Sequence, residues 1–304
     1  MGKSIIAIDL GSNSLRVLKV DSKTKDVIDG FRKTVKTADN LANTGKISND
    51  ALSRVVIALN EAKEKLDFSD TIVKAVTTEA IRQASNGDEV LAKIKEQTGV
   101  DFEVIDGVAE AEYALSATQN RLKLLGKSPK NFMLVDIGGG STEMLFHYGE
   151  DKTFSKSFPI GIVTVTQRFN GLAEIADGIP ILMNPMRNYY NEVVSKYGEV
   201  ELFVATAGTP TTVASMKLGM EYANYDAQKI HGTILTQKDL IEQLNKLIHM
   251  KYKERVKVVG LGRDDLIASG ILIYDELYII SGFKESMVID DGVCEGVAYS
   301  MCNT

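Results

Sequence analysis

Two stretches of this 304-residue chain follow the same plan. Residues 5–18 read Ile-Ile-Ala-Ile-Asp-Leu-Gly-Ser-Asn-Ser-Leu-Arg-Val-Leu, and residues 132–147 read Phe-Met-Leu-Val-Asp-Ile-Gly-Gly-Gly-Ser-Thr-Glu-Met-Leu-Phe-His. Laid over one another, Asp9 falls on Asp136, Gly11 on Gly138, Ser12 and Asn13 on Gly139 and Gly140, and Ser14 on Ser141. Each has an apolar run, a bend marked by glycine and a second apolar run, which predicts a buried strand–turn–strand. A repeat on this scale sets the architecture of the whole chain.

The residue types at the bend point to a chemistry. Glycine lets the main chain bend sharply and lets a ligand come close to it, and successive amides can converge into an anion-binding concavity. Asp136 and Glu143 flank the second bend with carboxylates, which suit a hard divalent cation. Amides for phosphate beside carboxylates for magnesium describe a site for a phosphoanhydride. Taken alone, the stretch also reads as a glycine-rich hairpin with surface acids. The repeat favours the first reading, since two such hairpins facing each other across a cleft would grip one phosphate chain.

The rest of the chain alternates strands and helices, as in an α/β sheet protein. Residues 4–36 read as a three-stranded meander, and helical spacing follows over 48–66 with Ser48 as N-cap. A strand at 71–76 runs into a junction carrying Arg82, which either points to the ligand or is an ordinary solvated helix residue. A helix at 88–98 and a strand at 102–105 lead to a helix from about 106 to 125 with Glu110 in its first turn. Glu110 there is either a ligand-facing acid at a strand end or a plain complement to the helix dipole. The linker 126–131 is expected to divide the halves. Strands at 132–137, 141–148 and 153–158 then repeat the meander, followed by helices at 161–169 and 180–197 and a strand at 200–206. Gly208 and Thr209 open a helix whose free amides could hold phosphate, or are a simple capping turn. Further helices are expected at 236–248, 266–280 and 292–304, with a short strand at 288–289.

Composition narrows the class. A formal charge of −6 argues against a broad nucleic-acid surface without excluding a small anionic ligand. The two cysteines, Cys294 and Cys302, make no disulfide framework, and none of the three histidines has metal-ligand spacing to another. With no signal-peptide pattern and no apolar run of membrane length, the expectation is a cytoplasmic protein with no membrane partner.

The paired motifs, Asp9-Leu-Gly-Ser-Asn-Ser and Asp136-Ile-Gly-Gly-Gly-Ser-Thr-Glu143, resemble those of the exopolyphosphatase/guanosine-pentaphosphate phosphohydrolase family, within the actin/Hsp70/sugar-kinase superfamily. The likeness extends to residues 77–82, 107–111, Pro159-Ile-Gly, Gly208-Thr, His231-Gly and Glu295-Gly. The resemblance implies an α/β fold of two ribonuclease H-like (actin-like ATPase) domains related by internal duplication, with a cleft between them. Their expected extents are residues 1–125 and 126–304, the helix at about 292–304 packing back on the first. It implies Glu110 as the catalytic base, Glu143 as a second catalytic acid, and Asp136 with Glu143 as ligands of Mg2+. Phosphate would be held by Gly11, Ser12, Asn13, Ser14, Arg82, Gly138, Gly139, Gly140, Ser141, Gly208 and Thr209. The partners implied are inorganic polyphosphate or guanosine pentaphosphate, with a homodimer left open. Glu112 and Cys294 stand where the family pattern places arginines, which puts affinity for long polyanions in question. An ATP-binding actin-like or kinase-type protein, or a weakly catalytic phosphate sensor, is the alternative.

Overall fold

A computed structural model describes residues 4–149 and 152–302. The chain opens with β1 (Ser4–Leu10), β2 (Ser14–Asp21) and β3 (Val27–Thr34), an antiparallel meander. Nearly every residue of β1 is buried, as a strand covered on both faces must be, while β3 is an exposed edge. The short α1 (Leu41–Thr44) precedes α2 (Asn49–Leu66), whose first turn is closed by Ser48 Oγ accepting the Ala51 amide at 3.1 Å. Then come β4 (Ile72–Thr77), α3 (Glu79–Gln83), α4 (Gly87–Thr98), β5 (Phe102–Val104) and α5 (Gly107–Leu124). The five strands pair in the order β3-β2-β1-β4-β5, with β4 and β5 parallel to β1.

The second sheet starts from β6 (Asn131–Ile137), β7 (Thr142–Tyr148) and β8 (Lys152–Phe158), again an antiparallel meander. After it come α6 (Ile162–Arg168), α7 (Leu172–Leu182), α8 (Asn184–Tyr197), β9 (Leu202–Thr206), α9 (Gly208–Lys217), α10 (Ala227–Ile230) and β10 (Thr233–Thr236). The run continues through α11 (Gln237–His249), α12 (Tyr252–Val259), α13 (Ile267–Ser281) and β11 (Glu285–Val288). The single helix expected over 180–197 is two, broken at Met183, with Pro185 in the first turn of α8 where its missing N–H costs nothing. Helix α13 is mostly apolar, Asp275 and Glu276 being its charged residues, and it packs against α6, α7, α8, α9 and α11.

Read from its meander edge, the second sheet runs β8-β7-β6-β9-β11, with β10 added antiparallel at the far side. Order and strand sense repeat those of the first sheet strand for strand. The duplication read from two bends is therefore a duplication of topology.

The last helix, α14 (Val293–Met301), returns to the first sheet and lies on the face opposite to α2. The chain thus forms two compact units, one of residues up to Ala117 together with Asp291 onward, the other Thr118–Asp290. The first division by packing falls inside α5, which runs unbroken past it. The helix expected to end at 304 is described to Met301, the final two residues lying outside the described part. No helix among the described residues is long and apolar enough to cross a membrane.

Candidate active site

In the first unit the bend between β1 and β2 is closed by the Gly11 amide donating to Ser14 O at 3.0 Å. The carbonyl of Ser12 accepts from the Ala38 amide at 2.8 Å, and that of Asn13 from Val35 and Lys36 at 2.9 and 3.0 Å. In a trans peptide the carbonyl and the following N–H point in opposite directions. The amides of Asn13 and Ser14 therefore face away from residues 35–38. That supporting segment is itself pinned by Arg54, which donates to the carbonyls of Val35 (2.8 Å) and Lys36 (3.1 Å).

The second unit builds the same device with more glycine. Gly138 N donates to Ser141 O at 3.0 Å, the counterpart of the first bend's bond. The carbonyls of Gly138 and Gly139 accept from Ile162 N (3.1 Å) and Val163 N (2.8 Å), and that of Gly140 from Thr164 Oγ1 at 3.3 Å. Three successive carbonyls thus face the first turn of α6, and the amides of Gly139, Gly140 and Ser141 face the other way. A Cβ on Gly161 would overlap the Gly139 carbonyl, so only glycine lets α6 seat this closely on the loop.

Beside each bend lies a row of residues brought level by strand register. In the second unit the row is Ser157, Glu143, Asp136 and Thr206. Residues directly opposite on neighbouring strands share a face, which puts the two carboxylates side by side. Glu143 is 3% exposed, and its Oε1 accepts from Ser157 Oγ at 2.6 Å, which fixes its rotamer. Among the described residues no cluster of three or more His, Cys, Asp or Glu could hold a metal by itself. A pair of hard oxygen donors fits magnesium, which keeps waters and substrate phosphates as its remaining ligands.

The corresponding row in the first unit is Arg32, Arg16, Asp9 and Val76. Arg16 thus occupies the position that Glu143 holds in the other sheet. Burial pushes the Asp9 carboxyl up to about 6, against the pull of Arg16 and Arg32.

Glu110 is buried in the first turn of α5, which Asp106 caps by accepting the amides of Val108 (3.0 Å) and Ala109 (2.9 Å). Its Oε2 lies 4.0 Å from Arg82 Nη1. Arg82 also donates to the Ile105 carbonyl and pairs with Glu79. The structure therefore brings Arg82 and Glu110 together, with 26% of the Arg82 side chain exposed.

The third junction, β9 to α9, turns at Ala207, a non-glycine residue at φ 70°. Such a conformation costs on the order of 1–3 kcal/mol and recurs at functional loops. The expectation for Thr209 concerns its backbone amide, and its side chain is placed elsewhere. It is fully buried against α13, where a Cβ on Gly270 would overlap its Oγ1. Packing has claimed the hydroxyl, so Thr209 has only its backbone to offer a ligand, with Gly208 beside it.

The model of the family described as Ppx/GppA phosphatase matches residues 16–304. The chain belongs to the Ppx/GppA phosphatase family. Exopolyphosphatase 2 of Mycobacterium tuberculosis is 29% identical over 98% of both chains. A guanosine-5'-triphosphate,3'-diphosphate pyrophosphatase of Photobacterium profundum is also 29% identical, over 97% of this chain and 58% of that protein. The crystal structure of the Aquifex aeolicus family member aligns with a TM-score of 0.71 at 30% identity, over 98% of this chain and 96% of that one. An exopolyphosphatase structure from Cytophaga hutchinsonii shares the fold with a TM-score of 0.85 at 22% identity, over 99% and 98%.

Glu112 and Cys294, where the resemblance places arginines, differ in kind within this Ppx/GppA chain. Glu112 is exposed on α5. Cys294 is fully buried, its thiol directed at the carbonyls of Ala7 (3.5 Å) and Arg16 (3.7 Å), so the uncharged residue there belongs to the core of the first unit. Burial pushes that thiol well up from its ordinary range, away from any reactive thiolate. No local sequence motif marks Arg16, Arg32, Arg54 or Arg263. The last is 8% exposed and donates to Thr212 Oγ1 of α9 at 3.4 Å. Only the repeat itself could have flagged Arg16, since it falls in line with Glu143 when the two bends are superposed.

Proposed function

We propose that the protein is a magnesium-dependent phosphohydrolase that removes the terminal phosphate of inorganic polyphosphate, with guanosine pentaphosphate as the second candidate substrate. The observation that carries this reading is the loop of the second unit, where three outward amides stand beside two carboxylates in register. Phosphate and cation are then addressed at one bend, as a phosphoanhydride requires. Names carried by relatives at 29% identity support the same class of substrate.

In this reading Glu110 orients the attacking water and takes its proton, a role worth ~10²–10⁴ in rate. Arg82, 4.0 Å away, keeps that carboxylate in place and adds positive charge. Amides of Asn13 and Ser14 in the first unit, and of Gly139, Gly140 and Ser141 in the second, bind phosphate oxygens and stabilise charge as it develops. Arg16 adds a guanidinium at the first bend. Magnesium, when bound, would be held through Asp136 and Glu143 and would neutralise charge on the scissile phosphoryl group.

The test is phosphate release, with magnesium, from polyphosphate, guanosine pentaphosphate and ATP in parallel. Polyphosphate is expected to be turned over fastest, and release from ATP alone would overturn the reading. Glu110→Gln should lower kcat by about 10²-fold or more with little change in KM. Wild-type turnover in that variant would remove Glu110 from the mechanism.

A further inference from the structure

Glu295 is a buried acid that the mechanism above does not use. Its side chain is 3% exposed, and both oxygens are engaged. Oε2 accepts the Gly292 amide at 2.9 Å and closes the first turn of α14, while Oε1 meets Arg16 Nη2 at 2.6 Å. Arg16 keeps 22% of its side chain exposed while Glu295 anchors its guanidinium.

The mounting of Glu295 is rigid on two sides. Val293, Cys294, Val297 and Ala298 of α14 pack with Ala7, Leu18 and Val20 of β1 and β2. On its other flank Gly296 lies so close to α5 that a Cβ there would overlap the Tyr113 carbonyl, one turn from Glu110. Helix α14 is therefore wedged between the strand that carries Arg16 and the helix that carries Glu110. A flexible arginine stem costs entropy to hold still, and a charge-assisted bond to a fixed carboxylate removes much of that freedom before any ligand arrives.

From this we infer that Glu295 is a positioning residue for Arg16, holding its guanidinium at the phosphate-binding bend of the first unit. The inference rests on the phosphate-binding reading of that bend. The bland alternative, that Glu295 only neutralises Arg16 and caps α14, predicts a change in stability alone.

A double-mutant cycle separates them, read by calorimetric binding of tripolyphosphate and by KM and kcat on polyphosphate. Glu295→Gln keeps an acceptor for the Gly292 amide and loses the charge. It should weaken tripolyphosphate binding and raise KM about tenfold, with kcat within about twofold of wild type. Arg16→Gln should do the same or more, and the double variant should be no worse than Arg16→Gln, because Glu295 acts through Arg16. Ile94→Ala, a fully buried position on α4 away from α14, serves as a destabilised control that should leave KM unchanged. Additive losses, or a Glu295→Gln protein that binds like wild type, would overturn the assignment. A wild-type protein that binds tripolyphosphate without turning it over would end the proposed reaction and leave the binding cycle readable, whereas one that does not bind it would end both.

Discussion

Asp9 shows at a single residue what the site demands of the fold. It faces two arginines in register, and burial still raises its carboxyl from 3.8 to about 6. The sign of the consequence follows from proton linkage. Between those two values the folded protein holds the proton more tightly than the unfolded chain does, so stability falls as pH rises through this window. The contribution is complete below about 3.8 and gone above about 6. Near neutral pH Asp9 is therefore an ion kept at a cost, as ligand-facing groups often are. Asparagine mimics the protonated form and does not titrate. Asp9→Asn should match wild type in urea unfolding at pH 4 and exceed it at pH 7, by at most about 3 kcal/mol. An equal difference at both pH values would show that Asp9 titrates as an ordinary surface acid.

At the scale of elements, the two glycine loops depend on what lies behind them. The amides of Gly139, Gly140 and Ser141 face outward because α6 occupies the carbonyl side, and α6 can sit there only because residue 161 has no side chain. Gly161→Ala should push α6 off the loop. The expected effects are a loss of about 1–3 kcal/mol in stability and a larger proportional fall in kcat/KM, measured by thermal unfolding and phosphate release. A variant with lowered stability but wild-type kcat/KM would separate the loop from the chemistry. The loops themselves were legible in the sequence because apolar runs around glycine are local signals. Ser48 as the cap of α2 was legible for the same reason. The four-residue β10 and the eight-residue α12 were not, since neither is long enough to show a period. The meaning of Arg16 was hidden for a different reason. It depends on being level with Asp9 across a ladder and on meeting Glu295 from the far end of the chain, and no local pattern records either contact.

Across the whole molecule, one topology has been used twice with the charge of its central row reversed. Asp136 and Glu143 make the row acidic in one sheet, while Arg16 and Arg32 make it basic in the other. The loops are common to both units, and a few register positions distinguish an acidic row from a basic one. The chain passes between the units twice, once inside α5 and once between Asp290 and Asp291, so the first unit is completed only by the final residues. That completion is a matter of packing energy. Val293, Cys294, Val297 and Ala298 are buried with Ala7, Leu18, Val20, Val76 and Ile105 in a single apolar cluster. Burying each of the larger aliphatic side chains is worth roughly 1.5–3 kcal/mol, and a domain is stable by only about 5–15 kcal/mol in all. Truncation after Asp290 should therefore leave the first unit unable to fold cooperatively, while the second keeps its own core intact. The truncated protein is expected to bind the dye ANS, to be cut by trypsin before residue 118, and to unfold in one transition belonging to residues 118–290. Turnover should be lost with it, because Glu110, Arg82 and the first bend all belong to the unit that α14 completes. A truncated protein that resists trypsin throughout and still releases phosphate would show that α14 is dispensable, and that the first sheet holds its site without the helix lying on it.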